Sequence, residues 1–278
     1  MMRKSSAFWL ILPALLGVLL FVFYPLFQIA LPTFHSGSSN IFSLYEKFLS
    51  ENYNLQVIGR TILIAVITTI ITLVLSFPVA LWIARQKKFL KSLLSLLILF
   101  PMLTNAVVRN FAWIIILGKD GVINEILLSL HIISSPLNIL YTNTSIIIGS
   151  IYLFLPIMIM SLIGSVSELN LEVEEAAAVL GARPLVNLIK IIIPQLTTGI
   201  LTGCILVFAG TMTAYTTPQI LGGNRHLVMS TLIYQQAMTL GNWTNASVIA
   251  IILIIISALT MLLMGRVMKK IDRRSINA

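Results

Sequence analysis

Six long apolar runs, each bounded by charged or turn-forming residues, dominate the sequence. A helix that crosses the hydrocarbon core of a bilayer needs about 20 mostly apolar residues, whereas the strands of a membrane barrel alternate between apolar and polar positions over about ten. These runs are continuously apolar, so they predict membrane-spanning helices. Their approximate bounds are residues 7–31, 57–84, 93–117, 145–165, 196–215 and 246–265.

The composition agrees with this interpretation. Of the 278 residues, 58% are apolar and 10% are charged, against about 45–50% and about 25% in soluble domains. So few charges cannot cover a soluble domain of this size, which excludes a soluble enzyme, and the single cysteine, Cys204, excludes a disulfide scaffold. Arg3 and Lys4 precede the first run as in a signal peptide. The run is longer than the apolar segment of such a peptide and lacks a small-x-small cleavage site, so a retained anchor is predicted.

The positions of the basic residues predict the orientation of the helices. Of the eighteen Lys and Arg, thirteen fall on the side that holds both termini, four fall on the opposite side, and Arg109 lies within the third run. Short basic segments are retained in the cytoplasm, so both termini are predicted to be cytoplasmic. Topology therefore accounts for the net charge of +9, and no nucleic-acid partner is expected.

The sequence lacks the common motifs for catalysis and nucleotide binding. It has no GxxxxGK[ST] loop, no HExxH pair, no CxxC and no cluster of His, Asp and Glu. All nine carboxylates lie outside the middle of the apolar runs, where an ion-driven carrier would place its relay groups. We therefore predict no catalytic residue, no metal site and no cofactor in this chain, and a separate subunit that supplies the energy. The alternative is an ion-coupled secondary transporter or a channel that works without an ATPase.

A cytoplasmic segment, residues 166–195, holds four of the nine carboxylates. Asn170 is suited to cap a helix, Gly181 to take the left-handed position that ends one, and Pro184 follows. A short helix over residues 171–180 is therefore predicted, with alanines on which another protein can pack closely. The alternative is an amphipathic helix lying on the membrane. The acidic residues argue against it, because interfacial helices usually carry Lys and Arg.

Part of this segment follows a known pattern. Glu175-Ala176-Ala177 is followed after three residues by Gly181, and after nine more by Ile191-Ile192-Ile193-Pro194. This arrangement resembles the EAA loop of binding-protein-dependent ABC importer permeases, EAA-x3-G-x9-I-x-L-P, with Ile193 in place of the usual leucine. Further stretches resemble the spermidine/putrescine-type permeases of the same family, namely residues 100–105, 108–113, 121–124, 218–223 and 241–243.

The resemblance implies an all-α integral membrane protein with the type I (MetI-like) ABC importer permease fold, located in a bacterial inner membrane. The chain would comprise an anchor helix with the first outer loop (1–56), a five-helix core (57–266) and a basic cytoplasmic tail (267–278). Solute would move by alternating access, driven by a separate ATPase. A polyamine such as spermidine or putrescine is the implied solute.

The resemblance also implies partners. These are a second permease subunit, two cytoplasmic ABC ATPases that hold ATP and Mg, and an extracytoplasmic solute-binding protein. In the family the EAA helix docks into a cleft of the ATPase, so the helix before Gly181 would act as a rigid lever. The residues assigned to ATPase coupling are Glu174, Glu175, Ala176, Ala177, Gly181, Ile191 and Pro194.

The solute pathway is expected near the third span and the outer end of the fifth. Pro101 removes one helical hydrogen bond, and Thr104 and Asn105 can stabilise an opened turn, so the third span is predicted to be kinked. Arg109 either pairs with backbone carbonyls or contacts solute. A cationic solute should meet acidic groups, and few lie near this pathway. Solute selectivity is therefore determined either by this chain or by the partner permease and the binding protein. The pathway candidates are Asn105, Arg109, Trp113, Asp120 and Tyr215.

Other features predict helix packing. Pro78 and Pro156 lie within spans, and Gly199 and Gly203 have the small-xxx-small spacing that brings membrane helices together. Residues 232–240 predict a short outer helix, which either contacts the binding protein or is an ordinary surface helix.

Overall fold

The computed structural model describes residues 13, 15–34, 42–169, 177 and 179–271. Helices account for the ordered elements in these ranges, and no strand occurs in them. Several helices contain a wider π turn, notably Leu188–Ile192 within α8 and Gln235–Thr239 directly after α11. The helices are α1 (Leu15–Thr33), α2 (Phe42–Ser50), α3 (Asn52–Ala84), α4 (Lys88–Leu103), α5 (Ala106–Leu117), α6 (Val122–Ser129), α7 (Asn143–Ser167), α8 (Pro184–Gln195), α9 (Thr197–Thr213), α10 (Pro218–Gly222), α11 (Met229–Tyr234) and α12 (Trp243–Ile271).

Four of these helices, α1, α3, α7 and α12, are each long and apolar enough to cross a membrane. Two further spans arise if α4 is counted together with α5 and α6, and α8 together with α9. The total of six agrees with the six apolar runs of the sequence. The third and fifth runs are, however, broken rather than continuous, with bends of 89° and 70° between their two parts.

The fifth run is preceded by a separate helix. Pro194 lies in the last turn of that helix, α8. The break follows at Leu196, whose φ of −92° and ψ of 5° depart from helical values. The amide of Leu196 still donates to the carbonyls of Ile192 and Ile193, so this donor is satisfied at the bend.

The chain forms two compact units. The first comprises Met1–Gln56 and Leu232–Ile255, and the second comprises Val57–Thr231 and Ile256–Ala278. In the first unit, the buried side chain of Asn54 joins α2 to the start of α3. Its amide nitrogen donates to the carbonyl of Phe48 at 3.0 Å and to the carboxylate of Glu51 at 2.9 Å.

The core of the second unit is built around α7 and α9. Met158 and Leu162 on α7 and Val207 on α9 are fully buried in one apolar cluster. The helices approach closely because glycines of α9 face α7. A Cβ atom at Gly203 would lie 2.5 Å from the sulfur of Met158, and one at Gly199 would overlap the side chain of Ser165. The predicted packing role of these two glycines is therefore confirmed.

We expect Gly199→Ala to destabilise the α7–α9 pair. The added methyl would lie 2.6 Å from the Cβ of Ser165 and 3.2 Å from the carbonyl of Ser161, and neither atom can move without shifting the α7 backbone. Overpacking of this kind costs about 1 to 3 kcal/mol of unfolding free energy. Denaturant titration of the detergent-solubilised protein measures the loss.

Gly265→Ala is the matched control. It places the same methyl on a span where no atom lies within 4 Å, so its unfolding free energy should be unchanged or slightly higher. Equal behaviour of the two variants would contradict close packing at Gly199.

Candidate functional site

The break in the third span is fixed by side chains on both sides of the bend. On the inner side, α4 ends at Leu103. The carbonyl of Pro101, which would otherwise lack a partner at this helix end, accepts the hydroxyl of Thr104 at 2.7 Å and the Nη1 of Arg109 at 2.9 Å. A helix terminus within a bilayer needs such donors, because no water is present to satisfy its carbonyls.

On the other side of the bend, Asn105 caps α5. Its side-chain oxygen accepts the amides of Val107 at 2.8 Å and Val108 at 3.4 Å. Thr104 and Asn105 thus stabilise the opened turn as the sequence predicts. The helix continues through Pro101 and breaks three residues later, at Thr104. The physical reason is that Pro101 removes only one amide donor, whereas Asn105 offers a competing acceptor for two amides at once.

Arg109 is buried, with 9% of its surface exposed. Its hydrogen bond to the Pro101 carbonyl supports the first of its two interpretations, a structural cation paired with backbone. No carboxylate of the described residues lies within ion-pair distance of it. The guanidinium also lies at the carboxyl end of α4, where the helix dipole favours a positive charge.

Of the remaining pathway candidates, Trp113 shares a face of α5 with Arg109, and Asp120 and Tyr215 lie outside this helix. Trp113 lies further along α5 and makes an edge-to-face contact with Tyr152 of α7, with ring centroids 5.5 Å apart. Asp120 is exposed in the turn between α5 and α6. Tyr215 is partly exposed just after α9. The five candidates therefore occupy the bend, the face of α5, a turn and the end of α9.

The turn at α10 is held by the start of α7. The carbonyl of Leu221 accepts both the amide of Tyr141 at 3.0 Å and the hydroxyl of Ser145 at 2.9 Å. Gly149 allows the approach, because a Cβ there would lie 2.5 Å from Leu221. Gly223 closes the turn at a φ of +60°, with its α-carbon facing the ring of Tyr141. Residues 218–223, which resemble the spermidine/putrescine-type permeases, thus form a turn that hydrogen bonds and close packing hold in place.

Asn124 lies in the stretch 121–124 that resembles the family, and the structure gives it a role in holding the outer loop that the motif did not indicate. It is 1% exposed, and its amide donates to the carbonyls of Gly118 and Leu137 while its oxygen accepts the amide of Leu137. This single side chain closes the outer loop between α5 and α7. The available signal was an asparagine in the first turn of a short helix that follows a glycine.

The outer end of α7 lies beside a basic cluster. The Nη1 of Arg60 donates to the carbonyl of Leu227 at 2.9 Å, and the Nδ1 of His226 lies 3.1 Å from the side-chain oxygen of Asn143. Burial, and then the charges of Arg60 and Arg225, lower the pKa of His226 below its usual value. The lowered pKa favours the neutral form of this imidazole. Among the described residues, no group of three or more His, Cys, Asp and Glu is placed to hold a metal ion.

The segment assigned to coupling is described from its helix end onward. Gly181 has a φ of +82°, the left-handed conformation that the sequence predicts. The amide of Ala182 donates to the carbonyl of Ala177 at 3.0 Å, the bond that closes a Schellman motif around such a glycine. Val179 and Leu180, directly before the glycine, are each 87% exposed. The helix therefore ends sharply and presents two apolar side chains.

Of the other residues assigned to ATPase coupling, some lie outside the described residues and some lie in α8. Glu174, Glu175 and Ala176, and most of the predicted helix 171–180, lie outside the described residues. Ile191 lies in the π turn of α8, and Pro194 follows in the last turn of that helix, both partly buried. Leu185 and Ile189 of α8 are 70% and 60% exposed. Exposed apolar side chains thus occur on both sides of Gly181.

Comparisons with known proteins agree on one family. Residues 73–277 match the model of the family described as "Binding-protein-dependent transport system inner membrane component". The spermidine/putrescine transport system permease protein PotB of Salmonella typhimurium (strain SL1344) is 31% identical over 98% of this chain and 98% of its own. The protein of the same name from Escherichia coli (strain K12) is 32% identical over 92% of this chain and 96% of its own.

Solved structures support the fold. The crystal structure of a bacterial ABC transporter involved in the import of the acidic polysaccharide alginate matches with a TM-score of 0.79, at 15% identity, over 98% of this chain and 97% of that one. A second structure, of a bacterial alginate ABC transporter in complex with a pentasaccharide-bound periplasmic protein, gives a TM-score of 0.74. At this identity the likeness concerns the fold alone. The chain therefore belongs to the family of binding-protein-dependent transport system inner membrane components, and it is a permease subunit of an ABC importer in the bacterial inner membrane.

Proposed function

We propose that this permease subunit imports a small polyamine, spermidine or putrescine, with energy from two separate ABC ATPases that bind ATP and Mg. A second permease subunit completes the membrane pathway, and an extracytoplasmic binding protein delivers the solute. The observation that carries the coupling part is the exposed apolar helix end at Gly181. The polyamine part rests on the names of the PotB relatives, which align along nearly the whole chain.

The helix end is suited to transmit force. Val179 and Leu180 are both almost fully exposed. Adjacent exposed apolar side chains are typical of a surface that a partner protein covers. The Schellman bond from Ala182 to Ala177 joins the end of the helix to the turn that follows. Leu185 and Ile189 are further exposed apolar side chains on α8. Movement of an ATPase that covers these residues would pass through α8 to α9.

The coupling set taken from the sequence also contains acidic and alanine residues. In this proposal Glu174 and Glu175 contribute charge to the contact with the ATPase, and Ala176 and Ala177 allow close packing. Ile191 and Pro194 lie in the last two turns of α8, between the docking surface and the bend at Leu196. In this proposal, closure of the ATPases tilts α8 about that bend and switches the pathway between outward and inward access.

Gly181→Ala tests the coupling surface. A non-glycine residue at a φ of +82° costs about 1 to 2 kcal/mol, and the helix end relaxes to avoid it. We expect about a tenfold loss of ATPase affinity in co-purification at graded detergent and salt, with normal membrane insertion. Solute-stimulated ATP hydrolysis should fall in parallel.

Gly241→Ala is the matched control for backbone strain. Gly241 also has a positive φ, +64°, and a Cβ at either glycine meets no atom within 4 Å. This variant should retain its ATPases. Normal coupling in Gly181→Ala, or an equal loss in both variants, would contradict the assignment.

Reconstitution tests the solute and the energy source. The permease pair, the ATPases and the cognate binding protein are placed in proteoliposomes with radiolabelled spermidine. We expect uptake that requires ATP and the binding protein, that putrescine inhibits and that a neutral disaccharide does not affect. Accumulation in vesicles that contain a hydrolysis-deficient ATPase would overturn the energy assignment, and ATP-driven uptake of the disaccharide instead would overturn the polyamine assignment.

A further inference from the structure

A short basic turn joins α3 to α4 on the side that the sequence predicts to be cytoplasmic. Residues 85–91 hold four of the eighteen Lys and Arg of the chain and no carboxylate. Arg85, Lys87 and Lys88 are exposed. We refer to residues 85–91 as the basic turn.

The fourth cation of the basic turn, Lys91, is used within the protein. Its Nζ donates to the hydroxyl of Ser167 at 2.5 Å, and Glu168 follows Ser167 at the end of α7. This bond ties the start of α4 to α7. The cations that remain for a ligand are therefore the exposed ones.

The helix dipoles act differently on these exposed cations. Arg85 directly follows α3, where the carboxyl end of the helix favours a positive charge. Lys87 and Lys88 instead lie at the amino end of α4, where the dipole favours a negative charge. No side chain caps this end, and the first turn of α4 contains no acidic residue.

The two lysines find no negative partner in the part of the chain that the structure describes. Among those residues, no carboxylate lies within ion-pair distance of Lys87 or Lys88. The uncapped amides and the two ammonium groups thus present positive charge at one place. An anion from outside the chain would satisfy both.

The surroundings of the basic turn indicate where that anion comes from. Trp82, near the inner end of α3, is 57% exposed, and Phe89, in the first turn of α4, is 81% exposed. Exposed aromatic rings of this kind are typical of the boundary between hydrocarbon and headgroups. The basic turn therefore lies at the depth of the lipid phosphates.

Apolar faces continue from the basic turn towards the middle of the membrane. The exposed large side chains further along both helices are apolar, and hydrocarbon is their expected neighbour. A phospholipid whose acyl chains lie on these faces has its headgroup beside the lysines. The faces include Ile71, Val74, Leu75 and Val79 on α3 and Leu93, Leu96, Leu97 and Phe100 on α4.

We propose that the basic turn binds the headgroup of an anionic phospholipid of the cytoplasmic leaflet. Lys87, Lys88 and the first amides of α4 contact the phosphate, and the acyl chains lie on the outer faces of α3 and α4. A lipid fits better than a cytoplasmic protein, because the apolar faces extend into the membrane where such a protein does not reach. The site is separate from the transport function proposed above and does not depend on the identity of the solute.

The bound lipid would hold one arm of the broken third span. α4 begins at the basic turn and ends at the bend beside Thr104. Lys91 fixes the start of α4 to α7 from the protein side, and the lipid fixes it from the membrane side. The inner arm of the span is thereby held at a defined depth.

Photo-crosslinking identifies the neighbour of the basic turn. The assembled importer, with benzoylphenylalanine in place of Phe89, is placed in nanodiscs of equal parts phosphatidylglycerol and phosphatidylcholine and irradiated. Mass spectrometry of this chain should show phosphatidylglycerol attached about tenfold more often than phosphatidylcholine. The same label in place of Trp243, which is 58% exposed at the start of α12, should attach both lipids about equally.

Charge variants localise the preference. Lys87→Gln combined with Lys88→Gln should bring the ratio of the two lipids at position 89 close to one. Arg183→Gln combined with Lys190→Gln is the matched control, because it removes the same charge from exposed residues around α8 on the same side. It should leave the ratio unchanged. Co-elution with the ATPases reports that each variant is assembled.

Four results would overturn the proposal. They are equal attachment of both lipids at position 89 of the otherwise unchanged chain, a crosslink from that position to another subunit, a ratio that survives removal of both lysines, and an equal loss in the two double variants. The second result would assign the basic turn to a protein contact, and the last would assign the preference to overall charge.

Thermal unfolding provides a second measurement that needs no photoreactive label. In detergent, short-chain phosphatidylglycerol should raise the Tm of the importer more than phosphatidylcholine of equal chain length, because a ligand that binds the folded state stabilises it. The difference between the lipids should disappear in the Lys87→Gln, Lys88→Gln variant and remain in the Arg183→Gln, Lys190→Gln variant. Equal effects of the two lipids on the unchanged chain would contradict the site.

Discussion

A polar backbone group in a bilayer must find its partner within the protein, because the hydrocarbon offers none. This constraint governs both broken spans of the chain. At the bend of the third span, Thr104 and Arg109 satisfy the carbonyl of Pro101, and Asn105 satisfies the first amides of α5. At the bend of the fifth span, the amide of Leu196 retains two carbonyl partners. Each break is therefore stable in the membrane, and each can serve as a fixed joint between rigid helices.

The same constraint explains why small residues recur between α7 and α9. Membrane helices gain little from hydrophobic association, so they depend on close packing and on hydrogen bonds between them. Gly199 and Gly203 provide the approach, and the hydroxyl of Ser161 bonds across the interface to the carbonyl of Gly199.

The arrangement separates charge from the hydrocarbon. The described carboxylates lie at helix ends and in loops, and the buried cation Arg109 is neutralised in part by a helix terminus rather than by a carboxylate. The carboxylates of the described residues therefore lie at the edges of the spans rather than at their centres.

Hydropathy and spacing alone determined the six apolar spans, their orientation, the left-handed glycine at position 181 and the packing glycines of α9, because each depends on local composition or on one residue's backbone freedom. The family, too, was evident from one spaced pattern on the cytoplasmic side. Only the tertiary structure decided that the third span breaks at Thr104 rather than at Pro101, that Arg109 reaches back to a carbonyl, and that Ser161 of α7 bonds to a carbonyl of α9. Those outcomes depend on which hydrogen-bond donors and acceptors lie close together across turns and between helices. A hydropathy pattern contains no information about such contacts.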